Sequence, residues 1–385
     1  MDLKKLRSII NDYKSPVYVY DGWKIRENAI KLKKTFSKFK IYYSIKANPN
    51  IEVCRLISKL NFEAEVVTKG ELEIAIKAWF RVRNILFAWP CKIQSHIKFA
   101  IVSWIRLFTA ESINQMRLIN SIAKIYKCKV KVIIRINEIN LYSNAWESMM
   151  WNSQFGMDTD SIIKSKDEIN NLTNITIIGT QFYASSQILD TKKLSKSVKY
   201  QLSITKKLQK HISMEIGLID IWWWFWIPYK ENEKELNIKW CAMLVNKELK
   251  NTKLIFDEIA IESGRYLVGN AWIFLTKIID IKENFWRTYA ICDGWMVWFT
   301  RPILVESHKI RLIKFNKRKL WSNKENVVVC WPSCSSMDIL GEFDMSYPDI
   351  GDIILIENAG AYWRSMSIHY FHCMKPPIEI FLPII

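Results

Sequence analysis

A chain of 385 residues, half of them hydrophobic, is long enough for two domains or for one barrel with an addition. The formal net charge of +18 invites a nucleic-acid reading. The lysines are spread along the chain rather than grouped, as in Lys192–Lys210, which describes solvated helix faces and argues against a nucleic-acid partner.

No apolar run approaches the ~20 residues of a membrane span, so no membrane partner is expected. The start, Met1-Asp2-Leu3-Lys4-Lys5, lacks the apolar segment of a secretory signal. Eight cysteines are scattered without a CxxC pair. That fits reduced thiols in a cytoplasm and argues against a disulfide framework or a structural zinc site. The five histidines form no ligand-spaced cluster, so no metal is expected.

In chain order, Val17–Asp21 reads as a strand and Gly22–Ser37 as an amphipathic helix. Short β runs then alternate with helical periods. The runs are Lys40–Ile45, Glu63–Val67, Asn84–Phe87, Ile105–Thr109, Val130–Ile136, Ile175–Tyr183, Glu215–Ile221 and Lys253–Ile261. Helical periods between them include Lys69–Ala78, Ser112–Tyr126 and Asp190–Ile212. This alternation predicts an α/β chain with a parallel sheet, and eight strands fit a TIM (β/α)8 barrel. No GxGxxG follows the first strand, which disfavours a Rossmann domain.

Beyond Gly264-Arg265 the β runs recur without helices: Trp272–Ile281, Arg287–Cys292, Lys309–Phe315, Val327–Val329, Asp352–Glu357 and Glu379–Leu382. They predict a C-terminal β-rich domain. Asn316–Asn326 reads as a charged loop.

Several segments carry chemistry. Tyr42–Asn50 reads Tyr-Tyr-Ser-Ile-Lys-Ala-Asn-Pro-Asn. It delivers Lys46 to the end of a strand, and Pro49 then forces a turn. A lysine held so can form a Schiff base with an aldehyde, for which pyridoxal 5′-phosphate is the usual source. Glu262 stands in Ile-Glu-Ser-Gly-Arg-Tyr at the end of the last barrel run. Residues 330–338 read Cys-Trp-Pro-Ser-Cys-Ser-Ser-Met-Asp, and Tyr362 follows Asn-Ala-Gly-Ala.

Composition is anomalous. Glycine is 11 of 385 residues and tryptophan 18, although glycine is usually near 7%. Residues 219–229 read Ile-Asp-Ile-Trp-Trp-Trp-Phe-Trp-Ile-Pro-Tyr, and so many adjacent indoles cannot all be buried. Glycine at Trp222, Trp223, Trp224 and Trp226 turns the segment into Asp-Ile-Gly-Gly-Gly-Phe-Gly-Ile-Pro-Tyr. The same exchange makes sense of Trp79, Trp89, Trp151, Trp272, Trp295, Trp298, Trp331 and Trp363. We expect UGA codons read as glycine in the source to stand as tryptophan in this sequence.

Together these segments resemble the pyridoxal-phosphate-dependent decarboxylases on an alanine-racemase-like barrel, the group of diaminopimelate, ornithine and arginine decarboxylases. The resemblance runs from about Tyr18 to about Leu382. It implies that the N-terminal strand joins the β-rich domain, with the barrel over residues 22–265 and the β domain over 1–21 and 266–385. It also implies a homodimer with shared active sites.

By the same resemblance, Lys46 is the Schiff-base lysine, its pKa lowered by partial burial and nearby cations. Glu262 holds the pyridine nitrogen protonated, with Ser263 where the family has proline. Trp222, Trp223 and Trp224, as glycines, cradle the phosphate with backbone N–H groups. Ser186, Gly264, Arg265 and Tyr362 are further cofactor contacts. Tyr183 takes the place of a ring-stacking histidine, and Glu65 lies near the cofactor hydroxyl or the Lys46 amine, whereas Glu71 and Glu73 are solvated. Cys334 protonates the carbanion from the partner subunit. Arg265, Arg301, Ser335 and Tyr362 line the substrate.

The implied activity is α-decarboxylation of an amino acid, with meso-diaminopimelate to L-lysine, and so lysine biosynthesis, ranked first. That subgroup carries Cys-Glu where Cys334-Ser335 stands and a tyrosine where Val305 stands. Glu147–Asp158 is similar to relatives that decarboxylate carrier-linked or modified amino acids. A glutamyl-type substrate therefore ranks second, beside ornithine or lysine. A catalytically silent homologue and a racemase are the readings from other classes.

Overall fold

Val130–Ile136, Val-Lys-Val-Ile-Ile-Arg-Ile, is an almost unbroken apolar run, and all of it except Lys131 is buried. Strands covered on both faces read this way. In the computed structural model it is one stave of a closed parallel barrel. The structure describes the chain except for residues 1–2, 89, 139–153, 184–190, 223–224, 226, 230–232, 295–297, 300–307, 316–323, 337, 368–370, 374 and 385.

Before the barrel comes β1 (Val17–Asp21). The barrel is formed by β2 (Lys40–Ser44), β3 (Glu63–Val66), β4 (Ile85–Phe87), β5 (Leu107–Ala110), β6 (Val130–Ile136), β7 (Ile175–Tyr183), β8 (Leu218–Trp222) and β9 (Glu258–Ser263). Helices Ile51–Lys59, Lys69–Lys77, Gln94–Val102, Ile113–Ile125, Thr191–Gln209 and Ile238–Asn251 follow individual strands. Four of them start on side-chain caps: Asn50, Thr68, Ser112 and Asn237 each accept backbone N–H bonds of the first turn. Inside the barrel Tyr42, Leu86, Ile133, Leu218 and Ala260 pack together.

The remaining strands are β10 (Trp272–Asn284), β11 (Arg287–Cys292), β12 (Ile310–Ile313), β13 (Lys324–Cys330), β14 (Ile339–Ser346), β15 (Ile353–Glu357) and β16 (Ile378–Leu382). They form a separate sheet ordered β12-β15-β10-β11-β13-β14, while β1 pairs antiparallel with β10 and parallel with β16. The N-terminal strand thus belongs to the β-rich sheet. The chain divides into two compact units, residues 26–226 with 235–266, and residues 1–25 with 227–234 and 267–385.

Some boundaries differ from expectation. Four barrel strands start later, at Ile85, Leu107, Leu218 and Glu258, because the residues ahead of them serve the connections. Helix Leu3–Tyr13 and strand β14 had no clear sequence signal. Among its described side chains, the helix buries Leu6, Ile9 and Ile10 against Val17, Val19 and Leu275. β14 alternates buried and exposed residues around Gly341. Lys324–Asn326, read as loop, opens β13.

The tryptophans fall into two groups. Trp79, Trp104 and Trp286 hold φ of 64°, 66° and 65° with relative exposures of 64%, 71% and 104%. Left-handed backbone is costly for a side-chain-bearing residue and free for glycine. Trp272, Trp298, Trp331 and Trp363 are buried. The Tyr20 and Trp272 ring centroids lie 3.4 Å apart at 61°, closer than the usual 4.5–7 Å of aromatic pairs. A residue without a side chain at 272 relieves that crowding.

Candidate active site

Lys46 is not on strand β2, which ends at Ser44. It sits in the single 3-10 turn Ile45–Ala47, closed by Asn48 N–H donating to Ile45 O at 2.9 Å. The proline that follows holds Asn48 extended (φ −160°, ψ 101°). The Tyr43 hydroxyl donates to Asn48 O at 2.8 Å. Ile45 and Ala47 are buried, so the turn is fixed on both sides of the lysine.

The turn also packs against the end of β9. A Cβ at Gly264 would stand 2.6 Å from Ala47 Cβ and 3.2 Å from Ser44 O. Glycine at 264 lets the two segments touch.

Lys46 Nζ donates to both carboxylate oxygens of Glu65, each at 2.8 Å. Glu65 is 1% exposed and Lys46 20%. Burial pushes the Lys46 pKa down, but the carboxylates of Glu65 and Glu262 outweigh it, and the pKa ends above its ordinary value. The expected lowering is thus overturned: the neighbours are anions, not cations. Glu71 is a second correction. It is partly buried, accepts from Val67 N–H at 2.8 Å, and burial pushes its pKa up to about 7. Glu73 remains near the surface, beside Lys69.

Glu262 lies in β9, beside Tyr42 of β2 and Trp222 of β8 in strand register, and is fully buried. Gln181 of β7 donates through one amide nitrogen to Glu262 Oε1 at 2.7 Å and to Asp220 Oδ2 at 3.1 Å. Burial pushes both carboxyls up, Asp220 to about 6 and Glu262 well above the ordinary range. Gln181 and Asp220 were missed in sequence because each is one polar residue in an apolar strand. That oddity was the available signal.

A further buried polar group lies at the ends of β4, β5 and β6. Arg135 pairs with Glu111 at 2.7 Å, with side chains 4% and 3% exposed, and Gly156 N–H donates to Glu111 Oε2 at 3.0 Å. Lys92 Nζ donates to Thr109 Oγ1 at 3.2 Å. Burial pulls the Lys92 pKa down to about 7. None of these residues was singled out in sequence.

Arg265 is buried at 4%. Tyr183 closes β7 and Trp222 closes β8, paired in register. Their side chains, and Ser186, Trp223, Trp224 and Arg301, lie outside the described residues, as does most of Glu147–Asp158.

In the β-rich unit, Tyr362 is buried with φ 69°. Cys334 is exposed, and its Sγ lies 3.5 Å from His372 Nε2. Asp338 Oδ2 accepts from Ser333 N–H at 2.7 Å, Ser335 N–H donates to Ser333 Oγ at 3.2 Å, and Ser335 O accepts from Asp338 N–H at 3.1 Å. The Cys334 turn is thereby tied at both ends. No metal-ligand cluster occurs among the described residues, and no helix among them is long and apolar enough to cross a membrane.

A lysine and two buried carboxyls at the C-terminal ends of parallel barrel strands define a barrel enzyme that binds a carbonyl cofactor. Residues 23–269 match the family model described as pyridoxal-dependent decarboxylase, pyridoxal binding domain. The chain belongs to the pyridoxal-phosphate-dependent amino-acid decarboxylases.

An L-glutamyl-(BtrI acyl-carrier protein) decarboxylase of Niallia circulans is 28% identical over 99% of this chain and 91% of its own. A diaminopimelate decarboxylase of Aquifex aeolicus is 29% identical over 95% of this chain and 86% of its own. The crystal structure of diaminopimelate decarboxylase from Helicobacter pylori complexed with L-lysine superposes with a TM-score of 0.89. That match is 25% identical and covers 98% of this chain and 94% of that one.

Pyridoxal 5′-phosphate is therefore the cofactor. The residues present fit it. Lys46 offers an amine on a rigid turn, and Glu262 Oε2 is buried without a hydrogen-bond donor among the described residues, so it would be available to a ring nitrogen.

Proposed function

We propose that this enzyme removes the α-carboxylate of meso-diaminopimelate to give L-lysine, and that its residues act as follows. Lys46 is the amine that holds the cofactor, and Glu65 positions that amine and takes part of its charge. Glu262 would pair with the ring nitrogen. When bound, the cofactor supplies an aldehyde carbon for the amine and a ring that accepts the electrons of the breaking Cα–carboxylate bond. Backbone N–H groups at 222–224, with Ser186, Gly264, Arg265 and Tyr362, would serve as contacts for the phosphate, and Tyr183 as a contact for the ring. Arg301 and Ser335 contact the substrate. Cys334, from a partner copy of the chain, or Lys46 returns a proton to Cα.

The observation that carries this reading is the meeting of Lys46, Glu65 and Glu262 in one cluster at the strand ends. The diaminopimelate assignment is supported by several relatives that are diaminopimelate decarboxylases and by the Gly360-Ala361-Tyr362 segment.

A carrier-linked or otherwise modified glutamate is the second reading. It is favoured by Ser335 in place of a glutamate and by likeness to the glutamyl carrier-protein decarboxylase along 99% of the chain. The test is a ¹⁴CO₂-release panel of meso-diaminopimelate, lysine, ornithine, arginine and glutamate derivatives. Release from meso-diaminopimelate alone is expected, with Lys46→Ala abolishing both turnover and the borohydride-fixed cofactor adduct. Full turnover by that variant overturns the assignment of the lysine.

A further inference from the structure

The floor of the barrel holds more carboxyl groups than it can keep ionised. Glu65, Asp220 and Glu262 are 1%, 0% and 0% exposed, and the ammonium of Lys46 is the cation that acts on all three. Glu71 and the Tyr42 hydroxyl are the other titratable groups that act on this cluster. Charges this far from water ionise only when paired, and otherwise keep a proton.

The Gln181 amide nitrogen spans Asp220 and Glu262 with one N–H bond to each. Asp220 Oδ1 and Glu262 Oε2 have no N–H or O–H donor among the described residues. A proton on one carboxyl lets it donate to the other. The arrangement is stiff: Gln181 and Asp220 are register partners on β7 and β8, and Gln201 donates to Asp220 O at 2.9 Å from helix Thr191–Gln209.

We propose that Asp220 is a positioning residue for Glu262: bridged by Gln181, the two carboxyls hold one proton between them, and this proton passes to the cofactor's ring nitrogen when that nitrogen docks against Glu262. The proposal rests on the role of Glu262 proposed above. In the transfer a carboxyl O–H bond breaks and an N–H bond forms. A neutral acid and a neutral ring become a carboxylate and a pyridinium, and no solvent proton is needed. Asp220 keeps the proton buried and localised beforehand. Afterwards the Gln181 amide remains to stabilise the new carboxylate. The direction of both shifts supports this, since burial pushes each carboxyl up and so favours a proton held within the pair.

Infrared spectroscopy of cofactor-stripped wild type, labelled with ¹³C at Glu or Asp carboxyls, tests the idea. At pH 7 a carbonyl stretch of a buried protonated acid is expected. It should move with the Glu label and vanish on adding pyridoxal phosphate. In Asp220→Asn the band should weaken before any cofactor is added, because the partner carboxylate that helps retain the proton is gone. Calorimetry in buffers of different ionisation enthalpy should then show that variant taking up more protons than wild type on loading. Wild type with no such band at pH 7, or with a band that survives loading, overturns the proposal even if Asp220→Asn fails to fold. Wild type that neither binds the cofactor nor forms an adduct at Lys46 overturns the functional reading instead.

Discussion

Cys334 Sγ stands 3.5 Å from His372 Nε2 on the β-rich unit, both side chains exposed. An imidazole within reach of the thiol makes His372 a candidate relay for the cysteine proposed to return a proton to Cα. His372→Asn is expected to slow carboxymethylation of Cys334 at neutral pH, read at that residue by peptide mass spectrometry. Cys91 and Cys373, also exposed, are internal references in the same sample. Unchanged labelling of Cys334 would remove the relay.

The charge around Lys46 sets when it can react. Its pKa is raised, because Glu65 and Glu262 outweigh burial, and only the neutral amine attacks an aldehyde. Capture of pyridoxal phosphate should therefore speed up as pH rises toward the alkaline range. Glu65→Gln removes the nearest anion and should move that rise to lower pH by about one unit or more. Stopped-flow absorbance across pH, with both proteins, gives the comparison, and coincident profiles refute the argument.

Lys92 carries a stability signature. Its proton leaves near pH 7 in the folded chain and near 10.5 when unfolded. Between those values the unfolded state binds the extra proton, so stability falls as pH drops from about 10.5 to about 7, by roughly 1.4 kcal/mol per unit. Lys92→Met abolishes this slope. Its advantage over wild type should grow from pH 10 to pH 7 and level off below, as measured by urea unfolding. An advantage that does not change with pH counts against the buried, depressed lysine.

Trp79, Trp104 and Trp286 combine left-handed backbone with exposed indoles. Single exchanges to glycine should each raise stability by about 1–2 kcal/mol. In protein purified from its source, peptide mass spectrometry should read glycine at these positions and at 222–224. Tryptophan at 222–224 ends the codon explanation.

The alternation of β and α elements made the barrel legible, and distinctive local segments marked Lys46, Glu65 and Glu262 before any geometry was known. What stayed hidden depends on partners distant in sequence. The Lys46 environment is set by β3 and β9, so the sign of its shift could not be read locally. Asp220 and Gln181 meet only through register between β7 and β8. His372 reaches Cys334 across 38 positions of chain. β14 escaped notice because its buried residues are few and Gly341 interrupts the run.

The bare α-carbon at Gly264 ties the turn of Lys46 to the strand that carries Glu262. Since the lysine turn and the last barrel strand touch there through main chain and Ala47 Cβ, the offset between amine and acid is built into the scaffold and owes little to rotamers. Substrate-facing loops can then diverge without detuning the chemistry, whereas one added methyl group at 264 should unsettle the whole catalytic alignment.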